Sequence, residues 1–345
     1  MSKLLETLSR NSSTYIIAEI SANHNQDINR AKAIIAEAAK AGADAIKMQT
    51  YTADTLTIDC NNEHFVVKGT AWEGRTLYDL YDEAHTPWEW HAELIKYANE
   101  LGLDCFSTPF DATAVDFLEE LNVPCHKVAS FELVDMLLLK KIASTGKPVI
   151  MSTGMGSLSE IDEAVKTLRN NGCPEIVLLK CTSAYPALPK EANLLTIPNL
   201  SETFKCVAGL SDHTMGSAVA VAAVSIGAKV VEKHITLSRA DGGPDSGFSM
   251  EPHEFKQMVD DIRTVEEALG TVSYDLTEKQ QVSTAFRRSL FVVKDMKAGE
   301  IFTHENVRSI RPGNGLHTRH YDTIIGKKVK IATPKGTPLS FDLVV

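Results

Sequence analysis

Short apolar runs rich in β-branched residues alternate along the chain with longer segments whose apolar residues recur at helical spacing. The short runs predict buried β-strands, and the longer segments predict amphipathic helices. Stretches such as INRAKAIIAEAAKAGADA and LSEIDEAVKTLRNNG also carry a glycine near the end, which commonly terminates a helix. The eight predicted strands are Tyr15–Ser21, Ala45–Tyr51, Asp104–Phe110, Cys125–Ser130, Pro148–Gly154, Ile176–Thr182, Val207–His213 and Val230–Thr236.

Eight strands that alternate with helices indicate parallel strands joined by crossover helices. We therefore predict an α/β fold in which a closed (β/α)8 TIM barrel spans residues 1–270. A doubly wound open sheet is the alternative. It is less favoured because IAEISANHN follows the start of the first strand, where a dinucleotide-binding sheet would carry GxGxxG.

The barrel pattern fades after Gly270. The polar segment 271–284 is interpreted as a linker, and residues 285–345 as a small β-rich domain near the lower size limit for independent folding. This domain contains a weak internal echo, KAGEIFTHENV from Lys297 against KGTPLSFDLV from Lys335. Each copy has a lysine and a turn glycine before a short strand, which favours two related loops, although a chance similarity is the alternative.

Composition excludes several partner classes. The 345 residues carry a formal net charge of −10, whereas a nucleic-acid partner demands a basic face. The sequence lacks an apolar stretch long enough to cross a bilayer, and MSKLLETLSR lacks the apolar core of a signal peptide. Six cysteines are scattered without a CxxC pair, which is typical of a reduced, cytoplasmic protein.

Polar residues stand at the end of nearly every predicted strand, where a parallel barrel has its active site. Lys47, Lys127 and the strand-end hydroxyls could together bind a multiply charged phosphate ester. The alternative is that the lysines pair with barrel carboxylates while the serines cap helices.

Two histidines, His213 in GLSDHT and His234 in VVEKHIT, close consecutive predicted strands. Neutral imidazoles at one barrel mouth would leave coordination positions open on Mn²⁺, Co²⁺ or Zn²⁺, with Mg²⁺ as a further activator.

His24 is a third candidate, for which we favour a role in positioning its loop. Asp245 in GGPDSGFSM either holds a substrate hydroxyl or forms an Asx turn. The aromatic segment 72–91 is interpreted as core or dimer packing.

A set of ordered motifs resembles the sialic acid synthase family from about Tyr15 to the C-terminus. The motifs are IIAEISANH, ADAIKMQTY, STPF, KVAS, STGM, LLKCTSAYP, GLSDHT, VEKH and RPGNG. Within this family, the insertion VKGTAWEGRTLYDLYDEAHTPWEWH and the first motif, SANH rather than GxNH, most resemble the pseudaminic acid synthases. The resemblance implies a metal-dependent condensation of phosphoenolpyruvate with 2,4-diacetamido-2,4,6-trideoxy-altrose, which gives pseudaminate and phosphate. It also implies an antifreeze-like (SAF) domain at the C-terminal end.

The resemblance further implies roles for individual residues. Glu19, Lys47 and Lys127 would be catalytic, and Glu19 would act near the reacting carbons. His213 and His234 would bind a divalent cation, most plausibly Mn, Co or Mg. Phosphoenolpyruvate would be held by Lys47, Thr108, Lys127, Ser130, Ser152 and Ser211. The sugar would be bound by Ser183, Tyr185, Asp245 and Arg311, the last reaching over from a partner subunit in a domain-swapped homodimer.

Alternative functions are kept open. Neuraminic acid synthases usually carry Asn at the position of Ser183, so we expect a different sugar contact here. N-acetylneuraminic or legionaminic acid synthesis keeps the same chemistry with another sugar. A lysine Schiff-base aldolase using Lys127, and a non-catalytic carbohydrate or ice-surface binder prompted by the antifreeze-like tail, are the remaining hypotheses.

Overall fold

The computed structural model describes residues 4, 6, 13–69 and 72–345. Eight parallel strands, β1 to β8, form a closed barrel in chain order, and β8 pairs with β1 to close it. The predicted TIM barrel is confirmed, and the open-sheet alternative is wrong. The strands are β1 Tyr15–Glu19, β2 Ala45–Thr50, β3 Asp104–Pro109, β4 His126–Val128, β5 Val149–Ser152, β6 Ile176–Cys181, β7 Val207–Asp212 and β8 Val230–His234.

Each barrel strand ends one or two residues before its predicted end. The residues beyond the observed ends begin the loops at the barrel mouth, although some still make backbone hydrogen bonds to a neighbouring strand, as the Ile20 N–H does to the Lys47 carbonyl at 3.1 Å. The helices of this part of the chain are Ile28–Ala41, Ala53–Leu56, Leu77–Ala84, Trp88–Glu100, Ala112–Glu120, Met136–Ala143, Leu158–Asn170, Thr196–Phe204, Ala218–Ser225 and Pro252–Leu269.

Local signals explain where the helices begin and end. The Asp27 side chain accepts a hydrogen bond from the Asn29 N–H at the start of helix Ile28–Ala41. That helix ends at Gly42, whose φ of 91° lies in the left-handed region that glycine adopts without strain. Ser157 and Glu160 form a reciprocal capping box at the start of helix Leu158–Asn170.

Two apolar layers follow from the alternation of side chains along each strand. On β1, Tyr15 and Ile17 belong to a buried cluster that also contains residues of the other barrel strands, such as Phe106 and Ile150. Ile16 and Ala18 belong to a second cluster, which includes the buried faces of the surrounding helices. The first cluster fills the barrel interior, and the second seals the barrel against its helices.

The inward-facing positions become polar toward the carboxyl ends of the strands. Glu19 follows Ile17 two residues later on β1, and Lys47 follows Ala45 in the same way on β2. Glu232 likewise follows Val230 on β8. Glu19 lies in register with Lys47 on one side and His234 on the other. The fold therefore gathers charged side chains at one end of the barrel interior.

Residues 271–345 form a second compact unit. It contains an antiparallel pair, β9 Ser289–Val292 and β10 Val307–Ile310, and helices Glu278–Ser283 and Tyr321–Ile324. Its apolar core includes Leu290, Val292, Phe302, Val307, Ile324 and Leu339. The turn glycines of the two echo copies, Gly299 and Gly336, have φ values of 81° and 89°. Both copies thus use glycine for the same left-handed turn geometry.

The segment 271–284, predicted as a linker, contains helix Glu278–Ser283. Thr277 and Gln280 form a capping box at the start of that helix. Within the described residues, no helix is both long enough and apolar enough to cross a membrane.

Candidate active site

Lys47 is the centre of one buried charge cluster at the barrel mouth. Its Nζ lies 2.5 Å from Glu19 Oε2 and donates to Thr108 Oγ1 at 3.2 Å. All three side chains are almost fully buried. Glu19 is also fixed by the Ser21 N–H, which donates to its Oε1 at 2.9 Å. The first three strands therefore hold one ammonium group and one carboxylate in a defined arrangement.

Lys127 forms a second cluster from the neighbouring strands β4 and β5. Its Nζ donates to Ser152 Oγ at 2.7 Å and to the Val128 carbonyl at 3.0 Å. The side chain is 1% exposed. Burial lowers the pKa of Lys127, although Glu232 opposes that shift.

Glu232 connects the two clusters. Its Oε1 lies 3.8 Å from Lys47 Nζ, and its Oε2 lies 3.9 Å from Lys127 Nζ. Ser211 Oγ also donates to Oε1 at 3.3 Å. The sequence analysis assigned no role to Glu232. The sequence signal that could have found it is its spacing of two residues from His234, which places both residues on the inward face of β8.

The two central carboxylates have opposite pKa shifts. Burial would raise the pKa of Glu232, but Lys127 and Lys47 outweigh it and lower that pKa. Burial raises the pKa of Glu19 to about 7, with Lys47 opposing the shift and the negative charge of Glu232 adding to it. Glu232 is therefore the ionised partner of the lysines, and Glu19 is poised to exchange a proton near neutral pH.

The predicted hydroxyl residues Ser130, Ser152 and Ser211 all line the same cavity as the two lysines. Ser130 Oγ accepts a hydrogen bond from the Gly154 N–H at 3.1 Å. A Cβ atom on Gly154 would lie 2.7 Å from Ser130 Oγ and 2.2 Å from Ser183 Oγ, so only glycine fits there. Ser183 is half-buried against Gly154, and among the described residues it does not line this cavity. Its predicted contact with the sugar therefore receives no geometric support.

The two histidines meet at the mouth, with ring centroids 5.4 Å apart. His213 Nδ1 lies 3.0 Å from the Thr182 carbonyl, a contact that leaves the Nε2 lone pair of the neutral ring for a ligand. His234 Nδ1 is buried and has no hydrogen-bond partner among the described residues. Burial, followed by the neighbouring His213, lowers the pKa of His234 well below its usual range, so this ring is neutral.

These imidazoles fit a divalent cation that keeps open coordination positions. In the part of the chain that the structure describes, no group of three or more His, Cys, Asp or Glu side chains is arranged to hold a metal ion. The remaining ligands would therefore be water and substrate oxygens. Burial acts to lower the pKa of His213, but Cys181 and the Thr182 carbonyl outweigh it and raise that pKa. A cation at this ring would compete with a proton.

Asp245 joins two distant motifs at the mouth. Its carboxylate accepts a hydrogen bond from Ser21 Oγ and lies 3.4 Å from the Ala22 N–H. Ser21 has a φ of 44°, an uncommon value for a residue other than glycine. Both residues lie on the cavity, and the Asp245 carboxylate contacts Ser21 and Ala22 and makes no cap hydrogen bond to the turn that follows it. Tyr185 lies beside it on the cavity, with its ring centroid 4.5 Å from that of His213.

The cavity has a volume of about 520 Å³. Part of its wall is formed by Trp72, Leu77, Leu80 and Tyr81. These residues of segment 72–91, which the sequence assigned to core or dimer packing, therefore also face a cavity. The packing interpretation holds for Trp88 and His91, whose rings pack against Phe117. The helical spacing indicated which face of the segment is buried. It did not indicate which apolar residues on that face line a cavity.

Several other polar residues have structural partners. His24 Nε2 lies 3.1 Å from Thr86 Oγ1, and His24 Nδ1 accepts the Gln26 N–H at 3.2 Å. This histidine is therefore occupied within its loop. Lys233, at the end of β8, forms a buried ion pair with Asp212 at 2.5 Å. Arg311 is exposed and directly follows β10 in the second unit. Its contact with the sugar stays a prediction.

Comparisons with known proteins agree with this geometry. The NeuB family model matches residues 34–274, and the SAF domain model matches residues 287–345. The pseudaminic acid synthase of Helicobacter pylori is 44% identical over 95% of this chain and 96% of its own. The enzyme of the same name from Campylobacter jejuni strain 81-176 is 45% identical over 91% of this chain and 92% of its own.

Among solved structures, the N-acetylneuraminic acid synthetase of Leptospira borgpetersenii, in complex with citrate, superposes with a TM-score of 0.70. It is 32% identical, and the match covers 79% of this chain and 90% of that one. The family resemblance drawn from the sequence motifs is confirmed. The chain belongs to the NeuB family and carries a SAF domain at its C-terminal end.

Proposed function

We propose that this protein is an enzyme that condenses phosphoenolpyruvate with 2,4-diacetamido-2,4,6-trideoxy-altrose and water, giving pseudaminate and phosphate. The observation that carries the proposal is the pair of buried lysines, Lys47 and Lys127, on either side of Glu232 at one cavity. The choice of sugar follows the names of the 44% and 45% identical relatives. The chemistry follows the charge distribution of the site.

The lysines are suited to the charges of phosphoenolpyruvate. Each ammonium group is held by a hydroxyl, Lys47 by Thr108 at 3.2 Å and Lys127 by Ser152 at 2.7 Å. Glu232 lies 3.8 and 3.9 Å from the two ammonium groups, too far for hydrogen bonds, so a phosphate or carboxylate of the substrate could accept hydrogen bonds from them. Ser130 and Ser211 would donate further hydrogen bonds from the same cavity. Binding both substrates together removes much of the entropic barrier to their reaction.

In the reaction, the double-bond electrons of phosphoenolpyruvate form a bond from C3 to the aldehyde carbon of the open-chain sugar, and the aldehyde oxygen, whose π bond breaks, takes up a proton and becomes a hydroxyl group. Positive charge develops at C2, and water adds there. Glu19 would take a proton from that water, a role supported by its pKa of about 7 and by the Ser21 N–H, which orients its carboxyl group. The tetrahedral intermediate then expels phosphate by cleavage of the C–O bond, and Lys47 and Lys127 stabilise the departing charge.

His213 and His234 would hold a divalent cation, with Mn, Co or Mg as the candidate metals. When bound, the cation would supply Lewis acidity toward a carbonyl oxygen. Tyr185 and Asp245 lie beside these histidines and would bind the sugar.

A second copy of the chain is the proposed partner. Large apolar residues are exposed in the segments after strands β4, β5 and β6, among them Phe131, Leu137 of helix Met136–Ala143, Met155 and Leu195. Leu137 and Leu195 are 80% and 78% exposed. A domain-swapped homodimer, in which the SAF domain of one copy covers the barrel mouth of the other, would cover this rim. Light scattering of the wild type and of Leu137→Glu tests it, with a dimer expected only for the wild type.

A panel of sugars tests the function. The protein is incubated with phosphoenolpyruvate, Mn²⁺ and one sugar at a time, and phosphate release is measured. The sugars are the diacetamido-altrose, its manno isomer that leads to legionaminic acid, and N-acetylmannosamine. Fastest release with the altrose sugar is expected. Faster release with either other sugar would transfer the proposal to that synthase, and no release with any of them would refute the condensation.

Borohydride trapping tests the Schiff-base alternative. Its support is the lowered pKa of Lys127. We expect no covalent adduct, because the condensation needs Lys127 as a cation. A stable adduct at Lys127 would favour the aldolase.

A further inference from the structure

One wall of the cavity is formed by a segment that sequence reasoning assigned to packing. Val66 and Thr76 form an antiparallel bridge. The Val67 N–H donates to the Arg75 carbonyl at 2.9 Å, and the Leu77 N–H donates to the Phe65 carbonyl at 2.8 Å. Thr76 then caps helix Leu77–Ala84 by accepting the Asp79 N–H. The described residues 65–67 and 75–77 are therefore paired with each other, and they lead directly into a helix.

Trp72 lies on this segment and lines the cavity. Its indole Nε1–H donates to the Pro244 carbonyl at 3.1 Å, and its ring centroid lies 5.9 Å from that of Tyr185. Pro244 precedes Asp245 in the chain. The indole ring thus lies next to Tyr185 and is tied to the residue before Asp245, and its orientation is fixed by a directional hydrogen bond.

The segment contributes almost only apolar surface to the cavity. Val67, Leu77, Leu80 and Ala84 line it together with Trp72. The strand ends instead contribute charged and hydroxyl groups, such as Lys47, Glu232 and Ser211. The cavity therefore has a charged floor, which suits phosphoenolpyruvate, and an apolar wall that phosphoenolpyruvate does not need.

We propose that Trp72 is a specificity residue that selects the sugar through its methyl groups. This inference rests on the proposed function and identifies the feature of the substrate that the apolar wall recognises. The diacetamido-trideoxy sugar has a methyl group at C6 and one on each acetamido group. An indole face makes favourable contact with a methyl group but offers a hydroxyl at the same place no hydrogen bond.

The size of the effect is bounded by general experience with apolar pockets. One methyl or methylene group in such a pocket changes kcat/KM by about 10 to 200-fold. Removing the indole ring should therefore lower kcat/KM for the diacetamido sugar by about this factor. It should also reduce the discrimination against analogues that lack one of the methyl contacts. The KM for phosphoenolpyruvate should not change, because the floor residues are untouched.

The experiment compares wild type, Trp72→Ala, Trp72→Phe and Tyr78→Ala. The parent sugar is set against a 6-hydroxy analogue and a 4-formamido analogue, and phosphate release gives kcat/KM for each. Tyr78 lies on the same segment but is not among the described residues that line the cavity, so it is the matched control. Thermal unfolding verifies that each variant is folded.

In wild type and Tyr78→Ala, we expect both analogues to react more slowly than the parent. In Trp72→Ala, the preference over at least one analogue should fall by about tenfold or more. Trp72→Phe keeps an aromatic face and should retain more of the preference than Trp72→Ala. Unchanged preferences in Trp72→Ala would overturn the proposal. Equal losses in the Phe and Ala variants would also overturn it, because the lost group would then be the N–H that holds the Pro244 loop.

Failure of the proposed function has a different signature. It would show as absent turnover of the parent sugar by the wild-type protein. Failure of the Trp72 inference would show only in the ratios of kcat/KM between the parent sugar and its analogues, measured in a protein that is active on the parent sugar.

Discussion

The two ends of the barrel interior are built from the same strands but have opposite chemistry. In the lower part, Tyr15, Phe106 and Ile150 are at most 1% exposed and contact other apolar side chains. At the mouth, Glu19, Lys47 and Glu232 are almost as deeply buried and contact one another. Burial is therefore not what distinguishes the ends. At the lower end, burial of apolar side chains stabilises the fold. At the upper end, burial of charged side chains is unfavourable and shifts their pKa values, so these charges must pair with one another.

The largest expected effect on the mouth comes from the histidine pair. His213→Ala or His234→Ala should abolish phosphate release and Mn²⁺ binding, because each removes one of two imidazole donors while the apolar end stays intact. Paramagnetic resonance of Mn²⁺ measures the loss of metal binding, and thermal unfolding verifies that the fold is intact. His253→Ala is the control, since this imidazole is exposed on helix Pro252–Leu269. Full wild-type activity after exhaustive chelation would contradict a metal role for the pair.

The next effect concerns Glu19 and pH. Because its pKa is about 7, the base form of Glu19 is lost as the pH falls below neutrality. On a plot of kcat/KM against pH, kcat/KM should therefore increase as the pH rises through about 7, which gives the profile an ascending limb there. Glu19→Gln should lower the rate by about 10² to 10⁴-fold and remove that limb.

Glu132 provides a matched control for the pH profile. Burial raises its pKa to about 7 as well, and it lines the same cavity. Glu132→Gln should keep the limb near pH 7. If the limb disappears in Glu132→Gln and persists in Glu19→Gln, the proton role belongs to Glu132.

A substitution in the lower interior should show the reverse behaviour. Phe106→Ala should lower the free energy of unfolding by about 3 to 5 kcal/mol through a cavity in the core, while the reacting groups stay in place. Urea unfolding measures this loss. Phe131→Ala, at a position that is 60% exposed, should change stability by less than about 0.5 kcal/mol. If both variants lowered the free energy of unfolding equally, Phe106 would not have the core role that is assigned to it here.

The smallest expected effect is that of Arg311→Ala. Its side chain is exposed, so the unfolding temperature of the protein should not change. If Arg311 reaches the sugar in the dimer, the KM for the sugar should rise by about tenfold, equivalent to about 1.4 kcal/mol. Steady-state kinetics at saturating phosphoenolpyruvate give this value. An unchanged KM would remove Arg311 from the site.

Much of the site was predictable because its signal is local. Lys47 and Lys127 were singled out from their places at strand ends, and His213 and His234 from equivalent places on consecutive strands, and the structure places all four on one cavity. The role of Glu19 came from the family resemblance and stays a prediction. The place of Trp72 on the cavity was not predictable, because an apolar residue at helical spacing looks the same whether it packs in a core or faces a cavity. Ser183 was placed on the sugar from a family motif, while the structure sets its hydroxyl against Gly154.

The sequence by itself determined the alternation of strands and helices, the closed barrel and the polar character of one rim, because side-chain alternation along a strand depends only on neighbouring residues. Only the tertiary structure decided which charges pair. Lys233 forms an ion pair with Asp212 on the adjacent strand, whereas Glu232, one residue earlier, faces Lys47 and Lys127. Those partners are distant in sequence, and the register of the strands and the pairing of β8 with β1 bring them within reach of one another.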